Sequence, residues 1–249
     1  MSTDVMKERI SAGSPRLNPR IAGLLYSIVI VAAPFAQVFV RGRLVVYGDA
    51  AATATNILAH ESLYRLAGAA DLIAFTCDAA VALVLYQLLK PVSKSLALFA
   101  AVFRLLHVAV VALNTLNHFA PLVILGGAHS FAAFKSDQLQ ALALMSLGLH
   151  GVGYNVGSVF FGFRCLFIGF LIARSAFLPR SFGPLLAIAG LCYLINSFAN
   201  FLSPSSAAHL YPYILLPGLS EVLLALWLVV IGVNVKRRNE QASAAQEVL

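Results

Sequence analysis

Hydrophobic positions along this chain gather into six long runs, at 21–40, 66–89, 95–125, 139–173, 183–202 and 213–235, separated by short polar or basic segments. A helix needs about 20 apolar residues to cross roughly 30 Å of hydrocarbon, and each run has about that length or more. The pattern predicts an all-α polytopic membrane protein, a bundle of six transmembrane helices. At about 1.5 Å per residue the third and fourth runs are longer than a span requires. One end of each should therefore project, tilt or bend, and residues 139–147 of the fourth are expected at the outer surface.

The longest connector, 41–65, carries its own signal. Asp49 is placed to cap a short helix running through Tyr64, with Ile57, Leu58 and Leu63 resting on the bilayer surface and the segment covering the outer mouth of the bundle. The first run follows a basic leader. It is longer than the roughly 7–15 apolar residues of a secretory signal, and Pro34 spoils its only Ala-Ala cleavage site, so it is read as an uncleaved helix.

Composition agrees with the pattern, since 60% of the 249 residues are hydrophobic and 11% charged, against about a quarter charged in soluble domains. The net charge of +7 does not point to nucleic acid, because the basic residues flank the apolar runs instead of lining one face. Lys7, Arg9, Arg16, Arg20, Lys90, Lys94, Arg174, Arg180, Lys236, Arg237 and Arg238 fall on one side, against Arg41, Arg43, Arg65 and Lys135 on the other. By the positive-inside bias both termini are expected in the cytoplasm. The organisation is then a basic tail at 1–20, a transmembrane domain at 21–235 and a cytoplasmic tail at 236–249. Cys77, Cys165 and Cys192 all lie in apolar runs without paired spacing and read as small packing residues.

Ionisable groups within a bilayer are costly unless they face protein or water, so each is a candidate functional residue. The second run holds Asp71 and Asp78, seven apart on one face among Ala67, Gly68, Ala70 and Ala74, small residues that allow close helix approach. On the third, Arg104, His107, Asn114 and His118 form a continuous stripe. The fourth repeats the pattern with His150, Tyr154, Gly157 and Arg164, the fifth offers Tyr193, Asn196 and Asn200, and the sixth Glu221. Counting from the cytoplasmic ends puts Asp78, Arg104 and Arg164 about 15–18 Å deep and Glu221 about 22 Å, within reach of Arg164 if their helices are adjacent. Asp78 and Arg104 are the expected ion pair. His118 and His150 share an outer level, while His60, His129 and His209 are assigned to outer loops. Three acids against two arginines leave one excess negative charge, and Glu221 is the expected proton-exchanging group.

Three function classes follow. Arginines and amides suit binding or transport of a small anionic or lipid-like molecule, and carboxylates with histidines suit proton movement. A metal-dependent intramembrane hydrolase could use His118, His150 and Asp71, although no HExxH or similar spacing is present. The third class is a structural or regulatory subunit whose buried pairs only hold helices together. The expected partners are the lipid bilayer and that small ligand, with no cofactor and no nucleic acid.

The chain also resembles a bacterial integral-membrane family catalogued as a domain of unknown function, forty-three eighty-six. The likeness runs from Arg20-Ile21-Ala22-Gly23-Leu24-Leu25-Tyr26 through Asn56, Glu61 and Arg65 to the stretch from Leu85 to Lys94. It resumes at Phe103-Arg104, Phe160-Phe161-Gly162, the stretch from Arg174 to Arg180, and Glu221 with Trp227. It implies a six-helix protein of the bacterial inner (plasma) membrane and supplies no substrate, cofactor or catalytic residue.

Overall fold

The computed structural model describes residues 19–127 and 133–247, apart from the side chains of 19, 206, 208–217, 246 and 247. The basic leader with Lys7, Arg9 and Arg16, the residue His129 and the side chain of His209 lie outside the described residues. The chain is helical throughout its long apolar runs: α1 (Pro19–Pro34), α2 (Ala50–Ala59), α3 (Glu61–Leu89), α4 (Lys94–Gly126), α5 (Ser136–Arg174), α6 (Phe182–Leu202), α7 (Pro204–Val230) and α8 (Val235–Glu247). Among the described residues five segments are long and apolar enough to span a bilayer, the first being Arg20–Leu44. The 27-residue α7 accounts for the sixth, and it meets α8 at a bend of 104°.

The spanning helices form a ring in chain order. Each packs on the next, from α1 to α3, α4, α5, α6 and α7, and α7 returns to α1. Glycines set a close seam between α5 and α6. An added Cβ on Gly162 would meet the Gly190 carbonyl oxygen at 2.9 Å, and one on Gly169 the Gly183 carbonyl oxygen at 2.6 Å. The two pairs are seven residues apart on both α5 and α6, so two glycine steps bring these backbones together.

Apolar clusters fill the two ends of the ring. One gathers Tyr26, Leu89, Ile172, Phe182, Leu186 and Leu228; the other gathers Ala36, Val40, Ile57, Tyr64 and Leu147. Across the first end lies the polar helix α8, held by Arg238 Nη2 donating to Gln87 O at 2.8 Å and Ala176 N to Gln241 Oε1 at 3.0 Å. The ends of α1 and α7 meet there as well, with Gly23 against Val229. The start of α1, the Lys90–Lys94 and Arg174–Phe182 turns and α8 therefore share one end.

Several expectations are corrected. Asp49 does cap a helix, accepting from Ala52 N at 2.8 Å, but that helix stops at Ala59, and Tyr64 belongs to α3. Ile57 is buried while Leu58 and Leu63 are exposed, because α2 turns one face onto α5 and α4. Residues 139–147 form the first part of α5, where Ala143 and Leu147 are buried against the ring. The last helix starts at Pro204 and ends at Val230, and the C-terminal segment is itself helical.

The first span also runs further than its apolar run. Pro34 has no N–H to give the helix ladder, and a π-helix at Phe35–Arg41 follows it. Its wider hydrogen bonding is seen where Gly42 N–H reaches back to Gln37 O. A short turn, Gly42–Leu44, ends the span, and Arg41 is carried inside the ring.

Candidate functional site: a polar chamber between paired charges

Three acids and three arginines meet inside the ring. On α3 and α4, Arg104 Nε donates to Asp78 Oδ1 at 3.0 Å and Nη2 donates to the same oxygen. Between α5 and α7, Arg164 Nη1 donates to Glu221 Oε1 at 2.5 Å, and the Cys165 thiol donates to that oxygen at 3.4 Å. Tyr26 of α1 joins the two pairs. The Arg104 guanidinium lies 4.7 Å from its ring centroid and that of Arg164 5.8 Å, while Arg164 Nη2 donates to the Tyr26 hydroxyl at 3.3 Å. Phe161 sits 5.0 Å beneath Arg164. These contacts replace water around two arginines that are at most 1% exposed.

The third pair was not foreseen. Arg41, expected in an outer loop, is 6% exposed; its Nη1 donates to Asp71 Oδ2 at 2.5 Å and its Nε to Gln37 Oε1 at 2.8 Å. Asp71 is therefore buried and paired, not hydrated at the interface. With three acids matched by three arginines there is no excess carboxylate among the described residues of the interior, and Glu221 is an ion-pair partner. Depth alone sets Arg41 at the level of Asp71, though not which way it turns. Arg41 follows Arg20 by 21 residues, about 31 Å, and Asp71 precedes Lys90 by 19, about 28 Å.

The remaining stripe residues divide by partner. His107 Nδ1 donates to Gly157 O at 3.0 Å, which holds the neutral ring's proton on Nδ1 and leaves Nε2 as an acceptor. Asn114 Nδ2 donates to His150 O at 2.7 Å. His118 and Tyr64 stack at 4.2 Å and exchange bonds with each other's backbone, Tyr64 Oη to His118 O at 2.7 Å and His118 Nε2 to Tyr64 O at 3.0 Å. That is a clamp between α3 and α4, and His118 Nδ1 has no partner. Asn200 Nδ2 donates to Asn196 O and Oδ1 along α6. The rings of His118 and His150 lie 6.0 Å apart, but among the described residues no three His, Cys, Asp or Glu side chains are grouped to hold a metal. The arrangement of His118, His150 and Asp71 expected for a hydrolase is therefore not assembled.

Between the paired charges lies open space. An outer chamber of about 430 Å³ is lined by Gln37, Arg41, Tyr47, His150, Asn155 and Asn196, among others. A deeper one of about 250 Å³ is lined by Tyr26, Asp78, His107, Phe161 and Glu221. Ala33, Pro34, Tyr154, Ser158, Tyr193 and Gly218 line both, so the two adjoin. On the lipid side of α1 a groove of about 590 Å³ is bounded by Ile30, Val31, Pro34, Phe35, Phe39 and Leu63, with Arg43 at its rim. Pro34 thus borders all three spaces. Tyr26, Gln37 and Arg41 are lining residues that the polar-stripe argument missed because the first span has no repeating polar stripe, and Tyr47, Asn155 and Ser158 were missed as well, lying outside the stripes.

Comparison with known proteins adds family but no activity. The model of the family described as a domain of unknown function (DUF4386) matches residues 21–232. An uncharacterized protein of Archaeoglobus fulgidus is 28% identical over 155 residues, covering 62% of this chain and 76% of that protein. That organism is an archaeon, so this match does not carry the bacterial source that the resemblance implied. No solved structure matches the chain.

Proposed function

The chain belongs to the DUF4386 family, and we propose that its helical ring binds or carries a small lipid-like molecule whose anionic group meets Arg41. The observation that carries this reading is the pair of adjoining chambers, which together fall in the size range of small-molecule sites and combine aromatic walls with a few convergent polar groups. Its lipid-like character is supported by α1, whose proline break borders both chambers and the lipid-side groove, giving a short path from the bilayer. Proton movement draws on the same residues but is less well supported, since each of the three carboxylates is held by an arginine.

The end carrying α8 and the basic turns faces the cytoplasm in this reading, and the outer chamber faces the other side of the plasma membrane. Native mass spectrometry of the full-length protein extracted from its membranes tests the binding. A co-purifying small molecule is expected on the wild type and not on Ala33→Trp, which fills the junction of the chambers. A wild type free of any such molecule, or a molecule retained by the variant, overturns the proposal.

A further inference from the structure

The chambers differ in what their walls offer. At the deep end both Arg104 bonds fall on Asp78 Oδ1, and the Arg164 and Cys165 bonds fall on Glu221 Oε1. Neither second oxygen is among the buried atoms without a partner, and both residues line the chamber. Asp78 Oδ2 and Glu221 Oε2 are thus left as acceptors, and His107 adds Nε2. At the outer end the opposite holds. Asn196 Oδ1 is occupied by Asn200 and Gln37 Oε1 by Arg41, which leaves the two amide NH2 groups as donors beside the Arg41 guanidinium.

The three ion pairs among the described residues carry no net charge, so a ligand with net charge would bring into the bilayer interior a charge that none of these pairs balances. A ligand with both signs would not. We infer that the ligand is a zwitterion, bound with its ammonium group at the deep end among acceptors and aromatic rings and its acidic group at the outer end beside Arg41 and Asn196. The inference rests on the chamber being a binding site, as proposed above, and deepens it. Asp71 and Asp78 mark the two levels, seven residues apart on α3, so the charges of a matching ligand lie about 10 Å apart.

The test uses four probes on the full-length protein in lipid nanodiscs, read by calorimetry. They are ω-aminooctanoate, whose charges lie about 10 Å apart when extended, octanoate, octylamine and glycine. ω-Aminooctanoate is expected to bind at least about ten-fold more tightly than any other. Asn196→Ala should weaken ω-aminooctanoate and octanoate and spare octylamine. Asp78→Asn with Arg104→Gln, which removes the pair together and leaves no lone charge, should weaken ω-aminooctanoate and octylamine and spare octanoate.

Tightest binding of octanoate or octylamine, equal binding of glycine, or no saturable binding of ω-aminooctanoate overturns the zwitterion. If binding of whichever probe is tightest is lost in Ala33→Trp and Ser158→Trp, the chamber still stands as the site. Binding untouched by both variants overturns the chamber as well.

Discussion

Asparagine at position 78 would leave Arg104 charged, 1% exposed and without its carboxylate. With Arg104 Nε 3.0 Å from Asp78 Oδ1 and charge centres about 4 Å apart, the attraction at an effective dielectric of about 20 is roughly 4 kcal/mol. A buried pair broken from one side costs about 3–5 kcal/mol in soluble proteins. For a chain of this size that lowers the thermal midpoint by roughly 6–20 °C. Arg104→Gln should lose slightly more, because the Arg104 contact with Tyr26 goes too, at about 1–2 kcal/mol. The double variant loses mainly that contact, so it should be more stable than either single variant. The expected coupling is at least about 3 kcal/mol, at the upper end for neighbouring residues. Size-exclusion chromatography of the detergent-extracted protein after heating measures all four midpoints. Strictly additive losses would refute the pairing and, with it, the neutral interior from which the zwitterion is argued.

Arg41 and Arg43 differ in burial although they are near neighbours in sequence: Arg41→Ala should cost about 3–5 kcal/mol, as a broken buried pair, and Arg43→Ala, which removes an exposed guanidinium lying over Phe39, less than about 1 kcal/mol; equal losses by the same heating assay would contradict the inward turn of the π-helix. Gly169→Ala puts a Cβ 2.6 Å from the Gly183 carbonyl oxygen, forcing α5 from α6 at about 1–3 kcal/mol, whereas Gly148→Ala, with nothing within 4 Å, should be neutral; a tolerated Gly169→Ala would show that the seam is looser than described. Tyr64→Phe removes the donor that ties α3 to His118 O of α4, which should lower stability by about 0.5–1.5 kcal/mol, and an unchanged midpoint would deny the clamp a stabilising role. A cysteine at Ser93 should resist impermeant thiol reagents applied from outside while one at Ser205 labels; the reverse would invert the orientation.

Much of this protein could be read from local pattern, because the bilayer allows few solutions. A backbone in hydrocarbon must satisfy its own hydrogen bonds, so six apolar runs meant six spanning helices, and the same solvent pushed Asp78, Arg104, Arg164 and Glu221 inward. Depth along a straight helix is set by residue count, which is why the sequence alone matches Asp78 with Arg104. Pattern could not say which helices are neighbours. Glu221 lies within reach of Arg164 by depth, but only the ring, which sets α7 opposite α5, makes them a pair, and the glycine seam that lets α6 sit so close to α5 is a property of two helices together. Nor could pattern follow a change of helical pitch. Arg41 stands just past the end of an apolar run and reads as a loop residue, and only the π-helix after Pro34, packed on α3, carries it in to Asp71. That one placement turned an interior with an excess acid into a neutral one. Helices and their depths are written in consecutive residues, whereas the balance of charge inside depends on groups that meet only when the ring closes.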